Sequence, residues 1–190
     1  MLILYDTSAI LMLLRIAPAM FTDPRFECVT IRSIFDEITQ TTKFKSKYPW
    51  LREMRSTIKS LPASISDSDK VKLHYETITA LNRDGAINPK TGRPFDLSKE
   101  DRLVIACAAA NEYVISSGDS GLCDFALHHF DLKTLSPLEV INLWIAKKLL
   151  IWNEEKQAFL KDWADQNEKP QPLKAKSLFK TLTGYKYAGS

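Results

Sequence analysis

The sequence predicts an α/β protein, a three-layer α/β/α fold with a central parallel sheet and a helical C-terminal extension. Three observations carry that expectation. Short apolar runs alternate along the chain with segments of helical periodicity, the pattern of a parallel sheet covered by helices. The runs Leu2-Ile3-Leu4-Tyr5 and Tyr113-Val114-Ile115-Ser116-Ser117 are continuous rather than alternating, as strands buried on both faces are. Both then stop at an acidic turn, Asp6 and Gly118-Asp119, before a helical segment begins.

Taken in order, residues 2–5 are a buried strand and 8–15 a helix. Residues 27–31 read as a short strand and 33–42 as a helix, with Ile34, Phe35 and Ile38 at the i, i+1, i+4 spacing of one face. From 43 to 97 strand signals are lacking, and helices are expected over 50–61 and 69–82. Asn88-Pro89-Lys90-Thr91-Gly92-Arg93-Pro94 is a loop by its turn chemistry. Ser98 with Asp101 three residues on is a capping box, opening the apolar helix that runs through Leu103 to Ala110. Residues 113–117 form the second buried strand, 122–129 a short helix and 132–135 a last short strand. Pro137, in a first helical turn, starts a long helix.

With 190 residues, 45% of them apolar and 26% charged, the chain suits one domain with a decorated edge and excludes collagen, coiled coil and wholesale disorder. A formal charge of +3 excludes a uniformly basic nucleic-acid binder. It also conceals an asymmetry. Residues 169–190 carry five lysines and no acid, so the rest holds 21 basic against 23 acidic residues. That last stretch reads as a flexible basic tail beyond Pro170 and Pro172. Cys28, Cys107 and Cys123 are odd in number and lack a CxxC spacing, so a disulfide framework is not expected and a reducing cytoplasm is. The apolar residues 10–14 and Ala17-Pro18-Ala19 mimic a signal peptide, but Asp6 stands where such a segment carries Lys or Arg. No apolar run reaches the roughly 18 residues of a membrane span.

In an open parallel sheet, ligands gather outside the carboxyl ends of the strands, near the point where strand order reverses. Asp6 and Asp119 lie at such ends, and Asp101 opens the helix that feeds the second strand. At about 100° per residue, Glu37 falls about 60° beyond Ile34, at the edge of the apolar stripe, whereas Asp36 faces water. Several carboxylates in one cleft raise one another's pKa, so a cation must join them. A hard divalent cation takes oxygen ligands and can orient a water for attack on a phosphodiester.

The segments Leu2-Ile3-Leu4-Tyr5-Asp6-Thr7-Ser8, the run from Val29 through Glu37 to Ile38, the run from Ser98 through Asp101 to Ala108, and Tyr113 through Asp119 resemble, in order, the four acidic motifs of PIN-domain ribonucleases. The resemblance covers residues 1–145, with 43–97 a mostly helical connection and 146–168 a C-terminal helix packed on or extending the domain. It implies a metal-dependent endoribonuclease, of a kind often found as the toxin of a bacterial toxin–antitoxin pair. By motif position, Asp6, Glu37, Asp101 and Asp119 would be catalytic and hold Mg²⁺ or Mn²⁺, with Asp124 a fifth acidic position and Ser8 and Ser117 supporting hydroxyls. The implied partners are RNA and an antitoxin protein, with a homodimer as a further expectation and no membrane.

Each carboxylate also has a plain structural reading. Asp101 completes the capping box, Asp6 is a helix N-cap, Asp119 a turn residue and Glu37 a solvated helix charge. Only their joint pattern makes a site. Two other classes of function compete with the nuclease. One is a non-catalytic scaffold of the same fold that binds RNA or protein; the other is a metal-dependent phosphohydrolase of another α/β fold. Against the phosphohydrolase, Asp6-Thr7-Ser8 lacks the second Asp two residues on that haloacid-dehalogenase-like phosphatases use. His128 and His129 suit the C-terminal dipole of a helix, and Trp144, Trp152 and Trp163 suit packing. Residues 41–60 hold six cations, Lys43, Lys45, Lys47, Arg52, Arg55 and Lys59, against Glu53 alone. They are either a solvated helical face or a strip that neutralises an RNA backbone.

Overall fold

Four strands, β1 (Ile3–Tyr5), β2 (Cys28–Val29), β3 (Val114–Ser116) and β4 (Thr134–Leu135), form one all-parallel sheet in the order β2-β1-β3-β4. The computed structural model describes residues 2–167 and 171–188, without the side chains of 43, 166 and 167. Every residue of β1 and β3 is buried, as their unbroken apolar character requires. Ile3 pairs with both Cys28 and Val114, and Tyr5 with Ser116. The chain leaves β1 toward β2 on one side and leaves β3 toward β4 on the other. The carboxyl ends of β1 and β3 are therefore the topological switch point, the place where such sheets bind ligands.

Eleven α-helices accompany the sheet among the described residues. In chain order they are α1 (Thr7–Ile16), α2 (Arg32–Gln40), α3 (Thr42–Lys47), α4 (Leu51–Met54), α5 (Ala63–Ser66) and α6 (Asp69–Arg83), then α7 (Lys99–Asn111), α8 (Ser120–Phe130), α9 (Pro137–Ala146), α10 (Glu154–Asn167) and α11 (Leu173–Thr183). Starts are set by side-chain caps. Ser98 with Asp101 and Ser136 with Glu139 make complete capping boxes for α7 and α9, and Pro137 sits where its missing N–H costs nothing. Helix α1 is apolar nearly all round and is buried between the sheet region, α9 and α10.

Three stretches differ from the sequence expectation. Residues 50–61 are not one helix: α4 ends at Met54, a 3₁₀ turn follows over Arg55–Thr57, and the chain then extends. Ser60 pairs in parallel with Thr30, and the Leu61 amide donates to the Thr30 carbonyl at 2.7 Å. The segment thus continues the sheet edge beyond the two residues of β2 and buries Ile58 and Leu61; Pro62 also disfavours helical geometry at Leu61. The helix begun at Pro137 stops at Ala146 rather than running on. Lys148 takes a left-handed φ of 59°, and the amides of Leu149 and Leu150 both turn back to the Trp144 carbonyl, which sinks Leu150 into the core.

The third difference is the basic stretch. Lys169 and Pro170 lie outside the described residues, but α11 follows and packs on α9. Ala175 and Phe179, one helical turn apart, are buried, with Phe179 meeting Trp152 edge-on at 4.8 Å between ring centroids. Lys174, Lys176 and Lys180 lie on this folded amphipathic helix. The other tryptophans also pack as expected, Trp144 against Phe26 and Trp163 stacked on Tyr48. The three cysteines are free thiols, and no described helix is long and apolar enough to cross a membrane.

Because Phe179 is fully buried, Phe179→Ala is expected to lower unfolding stability by about 3–5 kcal/mol. Urea unfolding measures this directly. A wild-type midpoint and slope in the variant would mean that α11 is not docked.

Candidate active site

The junction at the ends of β1 and β3 is built around Asp6, which is only 5% exposed. As N-cap of α1 its Oδ1 accepts the Ala9 amide at 2.7 Å, which meets one of the helix's orphan donors. Two hydroxyls finish its surroundings. Ser8 Oγ donates to the carboxylate at 3.0 Å and accepts the Gly118 amide at 3.0 Å. Ser117 Oγ donates to Asp6 Oδ2 and accepts the Asp119 amide at 2.8 Å. Each hydroxyl donates to the Asp6 carboxylate and accepts from a backbone amide of the β3–α8 turn, so the ends of the two central strands are stitched across the switch point. The Asp6 amide adds a backbone bond to the Ser116 carbonyl at 3.1 Å.

Asp119 is half-buried and caps α8, its Oδ1 accepting the amides of Gly121 at 2.8 Å and Leu122 at 3.2 Å. A side chain at position 121 would bring its Cβ to 3.1 Å from that oxygen, so glycine lets the carboxylate close over the helix end. Cys123, one turn into α8, reports how these groups gather. Burial pushes its thiol up to about 12, the Asp6 carboxylate adds to the rise, and Asp119 and Asp124 contribute further. It is therefore an inert, protonated thiol at pH 7.

Glu37 arrives from α2. It is half-buried and receives a short hydrogen bond from the hydroxyl of Thr7, the residue next to Asp6. Burial raises its pKa most, and the charges of Glu100 and Asp101 at the start of α7 raise it further against the lowering effect of Thr7. Its neighbour Asp36 faces outward, paired with Arg32 and hydrogen-bonded to Gln40. Asp101 makes its capping-box bond to the Ser98 amide at 2.9 Å. Asp124 is engaged by Lys90 in a short ion pair and by Asn88 at 3.3 Å, which fastens the 88–94 loop to α8.

The structure thus brings Asp6 and Asp119 together through Ser117, and Glu37 into electrostatic range of Asp101, with Thr7 joining the two halves. Among the described residues no three His, Cys, Asp or Glu side chains stand in a group that could hold a metal ion. Thr7, Glu100 and Cys123 were not singled out from sequence, although Thr7 adjoins Asp6 and Cys123 lies four residues from Asp119. Lys90 gave no signal at all. His128 and His129 end α8, where the His129 ring packs between Phe95 and Phe125 and burial, then His128, lowers its pKa.

The basic residues divide. Lys45, Arg52 and Arg55 line one groove, Lys47 lines a neighbouring one and sits over Tyr48, and the Lys43 side chain lies outside the described residues. No protein-family model, curated protein or solved structure matches the chain.

The raised pKa of Glu37 fixes the sign of a pH effect. A carboxylic acid that holds its proton more tightly when folded favours folding below its ordinary range, and that contribution is lost as pH rises through the elevated value. Glu37→Gln keeps an acceptor for Thr7 and removes the charge. In EDTA, it is expected to raise the melting temperature at pH 7 and to change it much less at pH 4. An equal shift at both pH values would contradict the assigned environment.

Proposed function

We propose that the protein is a metal-dependent endoribonuclease with a three-layer, PIN-like fold, cutting RNA at the carboxyl ends of β1 and β3. What supports this reading is the buried Asp6 carboxylate at the switch point of a parallel sheet, linked by the Ser117 hydroxyl to the backbone amide of Asp119. The donors suit a hard divalent cation in kind, since carboxylate and hydroxyl oxygens are its preferred ligands. Burial first, and then the charges of Glu100 and Asp101, raise the pKa of Glu37, and a cation would offset the part that comes from those charges.

Asp6, Glu37, Asp101 and Asp119 would hold Mg²⁺ or Mn²⁺. Bound there, the ion would supply Lewis acidity and an activated water for phosphodiester hydrolysis. The chain's own residues do the positioning. Ser8, Ala9 and Ser117 fix the Asp6 carboxylate, and low exposure keeps its electrostatics strong. Thr7 holds Glu37 in register with it. Asp119 is held by the α8 amides, and Lys90 keeps Asp124 engaged with the loop at the rim. Growth arrest on expression, relieved by Asp6→Asn, would extend the reading to a toxin with an antitoxin partner.

A second reading has its own support. Asp6, Asp101 and Asp119 each serve as helix caps, so the same residues suit a scaffold of this fold that binds RNA without cutting it.

Incubation with single-stranded RNA and Mn²⁺ separates the readings. Cleavage is expected with Mn²⁺, is abolished by EDTA, and falls by about 100-fold or more in Asp6→Asn, which keeps the N-cap acceptor. Cleavage that persists in EDTA or in the variant would sink the mechanism, while RNA binding without cleavage would favour the scaffold.

A further inference from the structure

A groove of about 570 Å³ forms where α2 meets α3 and α4. Its lining is Ile38, Thr39, Tyr48, Pro49 and Leu51 with the cations Lys45, Arg52 and Arg55, and it contains no carboxylate. Ile38 and Thr39 directly follow Glu37 on α2, so the groove and Glu37 share that helix.

Two properties define what fits there. The three cations are exposed, and none pairs with a carboxylate among the described residues, unlike Arg15, Arg25, Arg32, Lys72, Arg83, Lys90 and Lys147 elsewhere on the surface. Three cations lining one groove create a positive local potential that draws in a polyanion. The apolar floor, by contrast, is already satisfied. Ile38, Tyr48 and Leu51 are 0%, 6% and 3% exposed, and the Tyr48 ring is stacked on Trp163, so little apolar area remains for an amphipathic peptide to bury. Recognition in this groove must come from charge spaced along a chain, the property of a phosphodiester backbone.

We infer that Lys45, Arg52 and Arg55 form a backbone-binding groove that guides a single strand of RNA toward the carboxylates at the ends of β1 and β3. The choice of RNA, and the direction of travel, rest on the nuclease reading; the polyanion groove does not. Arginine suits the task because its planar fork donates two parallel bonds to one phosphate. Three phosphate contacts to a single strand give a slope of log affinity against log salt of about −2.

The test is fluorescence anisotropy with a short labelled single-stranded RNA, in EDTA so that no strand is cut, over a range of salt. Wild type is expected to show a slope near −2, and the double variant Arg52→Ala/Arg55→Ala a slope of about −0.7 with binding weaker by roughly 10-fold or more at low salt. Lys45→Ala, on a different helix, is expected to lose about one third of the slope. Lys70→Ala, outside the groove, serves as the control and is expected to match wild type. Unchanged melting temperatures confirm that the exposed substitutions leave the fold intact. Wild-type affinity and slope in the double variant, or displacement of RNA by polyglutamate as effective as by unlabelled RNA, would overturn the groove. Cleavage with Mn²⁺ separates the two ideas: binding that depends on Arg52 and Arg55 without any cleavage keeps the groove and removes the nuclease, and cleavage indifferent to both arginines does the reverse.

Discussion

The Asp6 carboxylate accepts hydrogen bonds from Ala9, Ser8 and Ser117, and through the two hydroxyls it reaches the backbone of Gly118 and Asp119. Almost everything at the carboxyl end of the sheet is referred to that junction. It starts α1, the helix most enclosed by others, and it sets the turn from which α8 begins. Because Ser8 and Ser117 each bond once on either side, neither can move without stranding a buried polar group, and such a group costs about 1–3 kcal/mol. The junction therefore makes the site rigid on the Asp6–Asp119 side. Glu37 and Asp101 belong to α2 and α7, and reach it only through Thr7 and through the field they share.

That division has a chemical consequence. The Asp6 side is neutralised by donors of the chain itself, while the Glu37 side carries charge that is opposed by burial and by Glu100 and Asp101. A cation brought between the two halves would relieve the second and draw on the first. The same economy of charge extends outward, where Lys45, Arg52 and Arg55, which pair with no carboxylate among the described residues, line a groove that shares α2 with Glu37. The near-neutral total of the chain is thus the sum of an acidic site, a basic groove and a lysine-bearing helix.

Much of this was legible in the sequence because it follows from local rules. Continuous apolar runs ending at Asp6 and at Gly118-Asp119 mark buried parallel strands, and Ser98 with Asp101 and Pro137 mark helix starts. What escaped depends on distant partners. The edge at β2 is completed by Ser60, thirty residues on, which no periodicity announces. Lysines at 174, 176 and 180 dominated the reading of the last stretch, although Ala175 and Phe179 carry the i, i+4 spacing of a docked face. Asp124 matched an acidic motif position, but its ion pair with Lys90 comes from a loop that sequence describes only as a turn. Glu37 was placed at the border of a cleft by helix geometry alone, and its bond to Thr7 is the detail that geometry could not supply.

The central claim is that a divalent cation binds among the carboxylates where β1 and β3 end. Paramagnetic broadening of backbone amide signals by substoichiometric Mn²⁺ tests it in place. The account expects the amides of Thr7, Ala9, Gly118, Asp119 and Gly121 to broaden first, with those of α11 and the α3–α4 groove unaffected, and expects Asp6→Asn to abolish the effect. Broadening centred elsewhere, or none at millimolar Mn²⁺, would contradict it.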